Sequence, residues 1–123
     1  MTMQRRFLFW LAWTLAVVLG LSFLASGYPK VIGSTAWVSR FAAWGYPAWF
    51  VPVIGVLEIG GGALALVPRT SVFGALAIGT VMLGATFTHL RTGIGSPVMA
   101  LAYLAMVIGV IWIRRPAGPL GSG

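Results

Sequence analysis

Apolar residues in this chain come in four long blocks, separated by short polar segments and bounded by basic side chains. Each block approaches the ~20 residues that a helix needs to cross a hydrocarbon core of about 30 Å. The blocks cover about residues 7–26, 48–67, 71–90 and 97–113. The pattern predicts an all-α fold, an integral membrane four-helix bundle forming a single transmembrane domain at residues 1–115. We expect residues 116–123 to be a disordered tail, and Gly118–Ser122 resembles a purification-tag remnant.

The first block follows Arg5 and Arg6, as the apolar part of a cleaved signal peptide would. It is longer than the roughly 7–15 apolar residues of such a peptide, and three comparable blocks follow it. We therefore expect it to be retained as the first span.

Residues 27–47 interrupt the pattern and predict a short interfacial helix between spans one and two. Trp37, Phe41 and Trp44 recur at i, i+4 and i+7, which places them on one side of that helix. Two interpretations stay open. The helix either anchors the protein along the membrane surface or forms a lid over the mouth of the bundle.

Composition excludes a soluble domain, because only 7% of the residues are charged, against about 25% in soluble chains. The net charge of +7 raises the question of nucleic acid. All the basic residues, however, lie at or between the ends of the apolar blocks, where topology-setting charges belong, so we expect no nucleic-acid partner. Five of the eight fall on the side that carries both termini. This predicts a multi-pass protein of the bacterial inner membrane with both termini in the cytoplasm.

Residues that could carry redox or metal chemistry are scarce. The chain has no cysteine, one histidine and one acidic residue. It therefore cannot by itself build a Cys-ligated haem, an iron–sulfur cluster or a Cys-based zinc site, and it cannot build a bis-His haem within one protomer. We expect no metal site and no catalytic residues, which argues against an autonomous enzyme.

The one acidic residue, Glu58, lies in the middle of the second apolar block. An ionisable group at the bilayer centre costs roughly 2.5–3.5 kcal/mol and usually has a partner or a task. Glu58 shares a helix face with small residues, which predicts contact with a neighbouring helix. We expect this stripe (Gly55, Glu58, Gly62, Ala65) to dock on a second stripe in span three (Thr80, Gly84, Thr88).

Counting along the helices places Thr80 and Thr14 at the depth of Glu58, and both are expected hydrogen-bond partners. Tyr103 comes within reach if span four tilts. Because no basic residue is expected at this depth, we predict that the Glu58 carboxyl is uncharged and faces inward.

His89 and Met82 are further candidates in span three. His89 is either an interfacial residue bonded to the aromatic loop, or a ligand contact or proton relay at the mouth of the bundle. Met82 either fills the core or lines a ligand site.

Four segments in order resemble the DoxX-like family of small four-span bacterial membrane proteins: Ala43–Phe50, Gly55–Gly62, Leu66–Arg69 and Val81–Leu90. The family shows a Gly-x-Pro-x-Trp start to span two, a Gly-x-Leu-Glu-x-x-Gly-Gly core, a following Arg, and a Met-x-x-Ala…His-Leu end to span three. The resemblance covers about residues 26–90. It implies Glu58, Arg69 and His89 as candidate functional residues.

The family takes its name from a small subunit of a thiosulfate:quinone oxidoreductase, and some of its members act as membrane chaperones. Three hypotheses follow for this chain. It is a non-catalytic module that holds a quinone or lipid or supports a partner redox enzyme; it is a proton-coupled transporter of small cations through Glu58; or it is a structural or assembly factor. A second membrane or redox protein and a homodimer are the partners to consider.

Overall fold

The computed structural model describes residues 2–120, and this part of the chain folds into five α-helices without a strand. The helices are α1 (Met3–Val31), α2 (Thr35–Ala43), α3 (Phe50–Leu66), α4 (Ser71–Thr92) and α5 (Val98–Arg114). The four long helices contact one another in a closed ring, in the order α1, α3, α4, α5 and back to α1. The all-α prediction is confirmed, and the arrangement is a helical bundle.

The outer surface of the bundle is apolar, as expected for helices that face lipid. Large side chains such as Phe73, Leu83 and Ile108 are exposed, whereas Leu19, Ile78 and Val110 are buried inside. Two helices, α1 and α4, are long and apolar enough to cross a membrane, and α3 and α5 are shorter apolar helices. At 17 residues each, α3 and α5 lie at the lower limit for a span.

Helices α1 and α3 pack so closely that glycine is required at the contact. A Cβ on Gly27 would lie 2.8 Å from the Gly55 carbonyl oxygen, and a Cβ on Gly62 would lie 2.8 Å from the Gly20 carbonyl oxygen. Small residues give such close contact where lipid supplies no hydrophobic force between helices. Gly55 and Gly62 of the α3 stripe therefore dock on α1, whereas Ala65 at its end meets Gly74 of α4. The expected docking of the whole stripe on Thr80, Gly84 and Thr88 of span three is wrong.

The first helix continues past its expected end at Ser26, by five residues to Val31. Pro29 lies inside this extension, where a proline normally stops a helix. The extension keeps one face buried, through Phe23, Gly27 and Lys30. Residues 27–31 therefore belong to α1, and the separate short helix is α2 alone.

Beyond α5, the described part of the expected disordered tail forms turns. Leu120 packs against a small cluster made by Leu8, Ala12 and Ile113. Residues 121–123, which complete the expected tail, lie outside the described residues.

Candidate functional site

A cavity of about 520 Å³ lies at the end of the bundle opposite the chain termini. Its wall combines the C-terminal parts of α1 and α4 with the N-terminal parts of α3 and α5, and α2 lies across it. Most of the lining side chains are apolar or aromatic, and a few polar groups come between them. Cavities of this size and composition are typical of small-molecule sites.

The central feature of the wall is an ion pair between α1 and α3. Lys30 Nζ lies 2.6 Å from Glu58 Oε1 and 2.9 Å from Oε2, and it also donates a hydrogen bond of 2.9 Å to Ser26 Oγ. Lys30 is 5% exposed and Glu58 1% exposed. The ammonium also lies 4.2 Å from the centre of the Trp37 ring, a cation–π distance. The pair joins α1, α2 and α3 at one point.

The prediction that Glu58 faces inward is confirmed by its burial, but the prediction that no cation lies near it is wrong. Because α1 continues to Val31, Lys30 reaches the depth of Glu58 and supplies the charge that the carboxylate needs. The expectation of an uncharged carboxyl therefore loses its basis. The two expected hydroxyl partners bond within their own helices: Thr80 donates to the Leu76 carbonyl and Thr14 to the Trp10 carbonyl.

Helix α2 covers the cavity with its aromatic side. Trp37, Phe41 and Trp44 all line the cavity, and Phe41 is buried. This geometry agrees with the lid, the second of the two interpretations of the short helix. A surface anchor would not need its aromatic face turned toward the bundle.

Polar contacts hold the C-terminal end of α2 against α4 and the loop that follows α4. Arg91 Nη2 donates to the Trp44 carbonyl at 2.9 Å, and Trp44 Nε1 donates to the Ile94 carbonyl at 3.3 Å. Just beyond α2, the Tyr46 and Thr88 hydroxyl oxygens lie 2.5 Å apart. Thr88 gives its only hydrogen to the Gly84 carbonyl, at 2.8 Å, so Tyr46 donates in the Tyr46–Thr88 bond.

His89 stands beside this contact at the mouth of the cavity. Its Nδ1 lies 2.8 Å from the Ile94 carbonyl oxygen, and its ring meets Trp44 edge to face with centroids 5.2 Å apart. A carbonyl partner requires a hydrogen on Nδ1, which leaves Nε2 as an acceptor in the neutral ring. The hydrogen bond goes to the α4–α5 loop and not to the aromatic loop, while the ring lines the cavity.

Helices α3 and α4 contact each other less tightly beside the cavity than at the other end of the bundle. Near the other end of the bundle they are close, since a Cβ on Gly61 would lie 3.1 Å from Ile78 Cγ1. Toward the cavity, a Cβ on Gly84 would have no neighbour within 4 Å. Gly84, Thr80 and Leu57 line the cavity and are also exposed. The accessible part of the cavity wall thus includes residues of both α3 and α4.

Five of the seven sequence-predicted site residues line the cavity: Glu58, Thr80, Met82, His89 and Tyr103. Thr14 lies outside the lining, and Arg69 lies in the exposed turn after α3, at the other end of the bundle. Sequence reasoning missed Lys30 and Ser26. A continued helical period from Phe23 through Gly27 to Lys30 was the signal that could have found Lys30.

The chemistry open to this site is binding by shape, aromatic contact and a few hydrogen bonds. Within residues 2–120, no group of three or more His, Asp or Glu side chains comes together as a metal site would require. The ion pair is neutral as a unit. The pair thus adds no net charge to a wall that is otherwise largely apolar.

A sequence model of the DoxX-like family matches residues 14–113, which is most of the chain. Among curated proteins and among solved structures, no match was found.

Proposed function

We propose, from the premise that this chain belongs to the DoxX-like family, that it is a non-catalytic module whose cavity holds a lipophilic small molecule. The family and the apolar helices make it a membrane protein. Quinones and membrane lipids are the two ligand classes that fit this proposal, because both combine an apolar body with a small polar head. The observation that carries the proposal is the cavity of about 520 Å³ with its aromatic lining.

The gap between α3 and α4 supports a ligand that comes from the bilayer. Leu57, Thr80 and Gly84 line the cavity and are exposed. A lipophilic molecule dissolved in the membrane would meet this opening without passing through water. A water-soluble substrate would have to pass α2 and its aromatic side chains.

Transport of small cations is less well supported, because the carboxylate that would bind them is occupied. Glu58 is paired with Lys30 at 2.6 Å and is 1% exposed. A cation would have to displace an ammonium that also bonds to Ser26 and contacts Trp37. Removing one partner from a buried pair costs about 3–5 kcal/mol, which such a substrate would have to supply.

A structural or assembly role is the second candidate, and the same ion pair favours it. Lys30 and Glu58 join α1 to α3 beside the glycine contact. If the pair only holds helices together, its loss lowers stability and leaves ligand binding by the folded protein unchanged. Measuring both quantities on one variant separates the two roles.

Partners and location follow as proposals from the same reasoning. A ligand-holding module without redox groups of its own would serve a neighbouring redox enzyme in the membrane or a second copy of this chain. The excess of basic residues on the side of both termini, five against three, supports a bacterial inner-membrane protein with both termini in the cytoplasm.

Binding is tested with two matched glycine variants, Gly84→Leu and Gly60→Leu. An added Cβ has no neighbour within 4 Å at either position, so both variants are expected to fold. Only Gly84 lines the cavity. The protein is purified in mild detergent, co-purifying small molecules are extracted and identified by mass spectrometry, and a decyl-chain quinone is titrated in.

We expect a lipophilic molecule to co-purify with the wild type and with Gly60→Leu, and its amount to fall at least several-fold in Gly84→Leu. Equal amounts in the two variants would show that the molecule binds elsewhere. The proposal would be ruled out if no small molecule co-purified with the wild type and the added quinone did not bind to it.

A further inference from the structure

The Ser26 hydroxyl is an uncommitted hydrogen-bond donor in the cavity wall. The threonines of α1 and α4 donate to the carbonyl four residues earlier; Thr14, Thr80 and Thr86 do so at 2.8–2.9 Å. Ser26, by contrast, accepts a hydrogen bond from Lys30 Nζ, and within residues 2–120 its own hydrogen has no acceptor. Ser26 lines the cavity, so this hydrogen is available to a molecule inside it.

Lys30 makes this hydroxyl a better donor than an ordinary serine. A hydroxyl oxygen that accepts from an ammonium at 2.9 Å is polarised, and hydrogen bonds in such chains strengthen one another. The effect is larger in a low-dielectric surrounding, and Lys30 is almost fully buried. The positive charge of Lys30 thus acts on the cavity indirectly, by making the neutral Ser26 hydroxyl a stronger hydrogen-bond donor.

The two charged groups themselves are not free to contact a ligand. The Lys30 ammonium is enclosed by the Glu58 carboxylate, the Ser26 oxygen and the Trp37 ring. The carboxylate is 1% exposed. Of the partners of the ammonium, the Ser26 hydroxyl is therefore the one that donates a hydrogen polarised by a direct bond from Lys30, and Ser26 lines the cavity.

We propose that Ser26 is a specificity-determining residue that donates a hydrogen bond to a carbonyl oxygen in the head of a lipophilic ligand. This inference rests on the proposed function, since it names the ligand class of the same cavity. A carbonyl oxygen only accepts, so its bond to Ser26 leaves no polar hydrogen unsatisfied. A ligand hydroxyl would bring a second hydrogen that needs its own acceptor, and the free acceptor described above, His89 Nε2, lies at the mouth of the cavity.

Two probes of nearly equal size separate the carbonyl contribution from apolar contact. Decanophenone carries a ketone beside its aromatic ring, and decylbenzene carries a methylene at the same position with the same number of carbons. Both are titrated into the purified protein in detergent, and the dissociation constants are measured by calorimetry. The variants are Ser26→Ala, which removes the donor, Ser26→Thr, which keeps a hydroxyl, and Ser22→Ala, which removes the cavity-lining serine one turn earlier.

We expect the wild type to bind the ketone about tenfold more tightly than the hydrocarbon, as one strengthened hydrogen bond allows. Ser26→Ala should bind the two probes equally, and Ser26→Thr and Ser22→Ala should keep the preference. The carbonyl stretching band of the bound ketone should move to higher frequency in Ser26→Ala alone.

Equal binding of the two probes by the wild type would overturn the role of Ser26 while leaving the cavity a ligand site. A ketone preference that survives in Ser26→Ala would do the same. Failure of both probes to bind would refute the inference together with the proposed function.

Discussion

Replacing the ion pair one member at a time, and then both together, tests how it contributes to stability. The variants are Glu58→Leu, Lys30→Met and the double variant, which carries two apolar side chains of similar volume. Lys30 and Glu58 are both buried and make their ionic contact at 2.6 and 2.9 Å. Each single variant leaves one buried charge without its counter-charge, whereas the double variant leaves none.

The expected magnitude follows from the distances. At these separations and an effective dielectric constant of about 20, the attraction between two unit charges is about 6 kcal/mol. Desolvation offsets much of this attraction, and losing one partner of a buried pair costs about 3–5 kcal/mol in measured cases. We expect Glu58→Leu to lower the free energy of unfolding by about 3 kcal/mol, the lower end of this range, because Lys30 keeps its contacts with Ser26 and Trp37. We expect Lys30→Met to cost more, because the carboxylate loses its described hydrogen bonds, and the double variant to cost less than either.

The assay is reversible unfolding in mixed micelles, with the denaturing detergent titrated and tryptophan fluorescence recorded. Arg40→Met is the matched control, since Arg40 also lies over the Trp37 ring, 4.7 Å from its centre, but is exposed. That control should change the free energy of unfolding by less than 1 kcal/mol. Losses in the two single variants that simply add in the double variant would show that the two charges do not interact in the folded protein.

Two further predictions concern packing and orientation. Gly55→Ala should lower the free energy of unfolding by about 1–3 kcal/mol, because its Cβ would lie 2.7 Å from the Val31 nitrogen. Gly60→Ala, whose Cβ meets open space, should be neutral or stabilising by up to about 1 kcal/mol in the same unfolding assay. For orientation, Val67→Cys and Ser96→Cys each place a single thiol in a chain that has none, at opposite ends of the bundle. In intact cells an impermeant maleimide should label Ser96→Cys alone, and labelling of Val67→Cys alone would reverse the proposed topology.

Helix content and approximate helix ends could be predicted because apolar block length is a direct property of the sequence. The third apolar block shows this well: it was expected at 71–90, and the structure has α4 at Ser71–Thr92. Which helix docks on which could not be predicted in the same way. Several helices carry a face of small residues, and such a face predicts a helix contact without indicating which helix is the partner. Gly55 and Gly62 pointed to a close contact, but only the three-dimensional arrangement shows that α1 fills it.

Of the ion pair in the candidate site, one member could be predicted from the sequence and the other could not. Glu58 was found because a lone acid in an apolar run is costly wherever it lies. Lys30 was missed because Pro29 precedes it and suggested that the helix had already ended. Proline disturbs the turn before it, and tertiary contacts can offset that cost. Here the close contact between Gly27 and Gly55 and the ion pair one turn later both hold the last turn of α1 against α3.

The two ends of the bundle differ in packing because they use different residues to bring helices together. Toward the termini, α3 and α4 approach through Gly61 and Ile78, which leaves no space between them. Toward α2, Gly84 has no such neighbour and the helices stay apart. A helix pair that separates in lipid loses dispersion contacts, and its buried backbone needs other support. On the α1 side, the ion pair joins α3 to α1. The pair therefore fixes α3 to α1 at the depth of the cavity that both residues line.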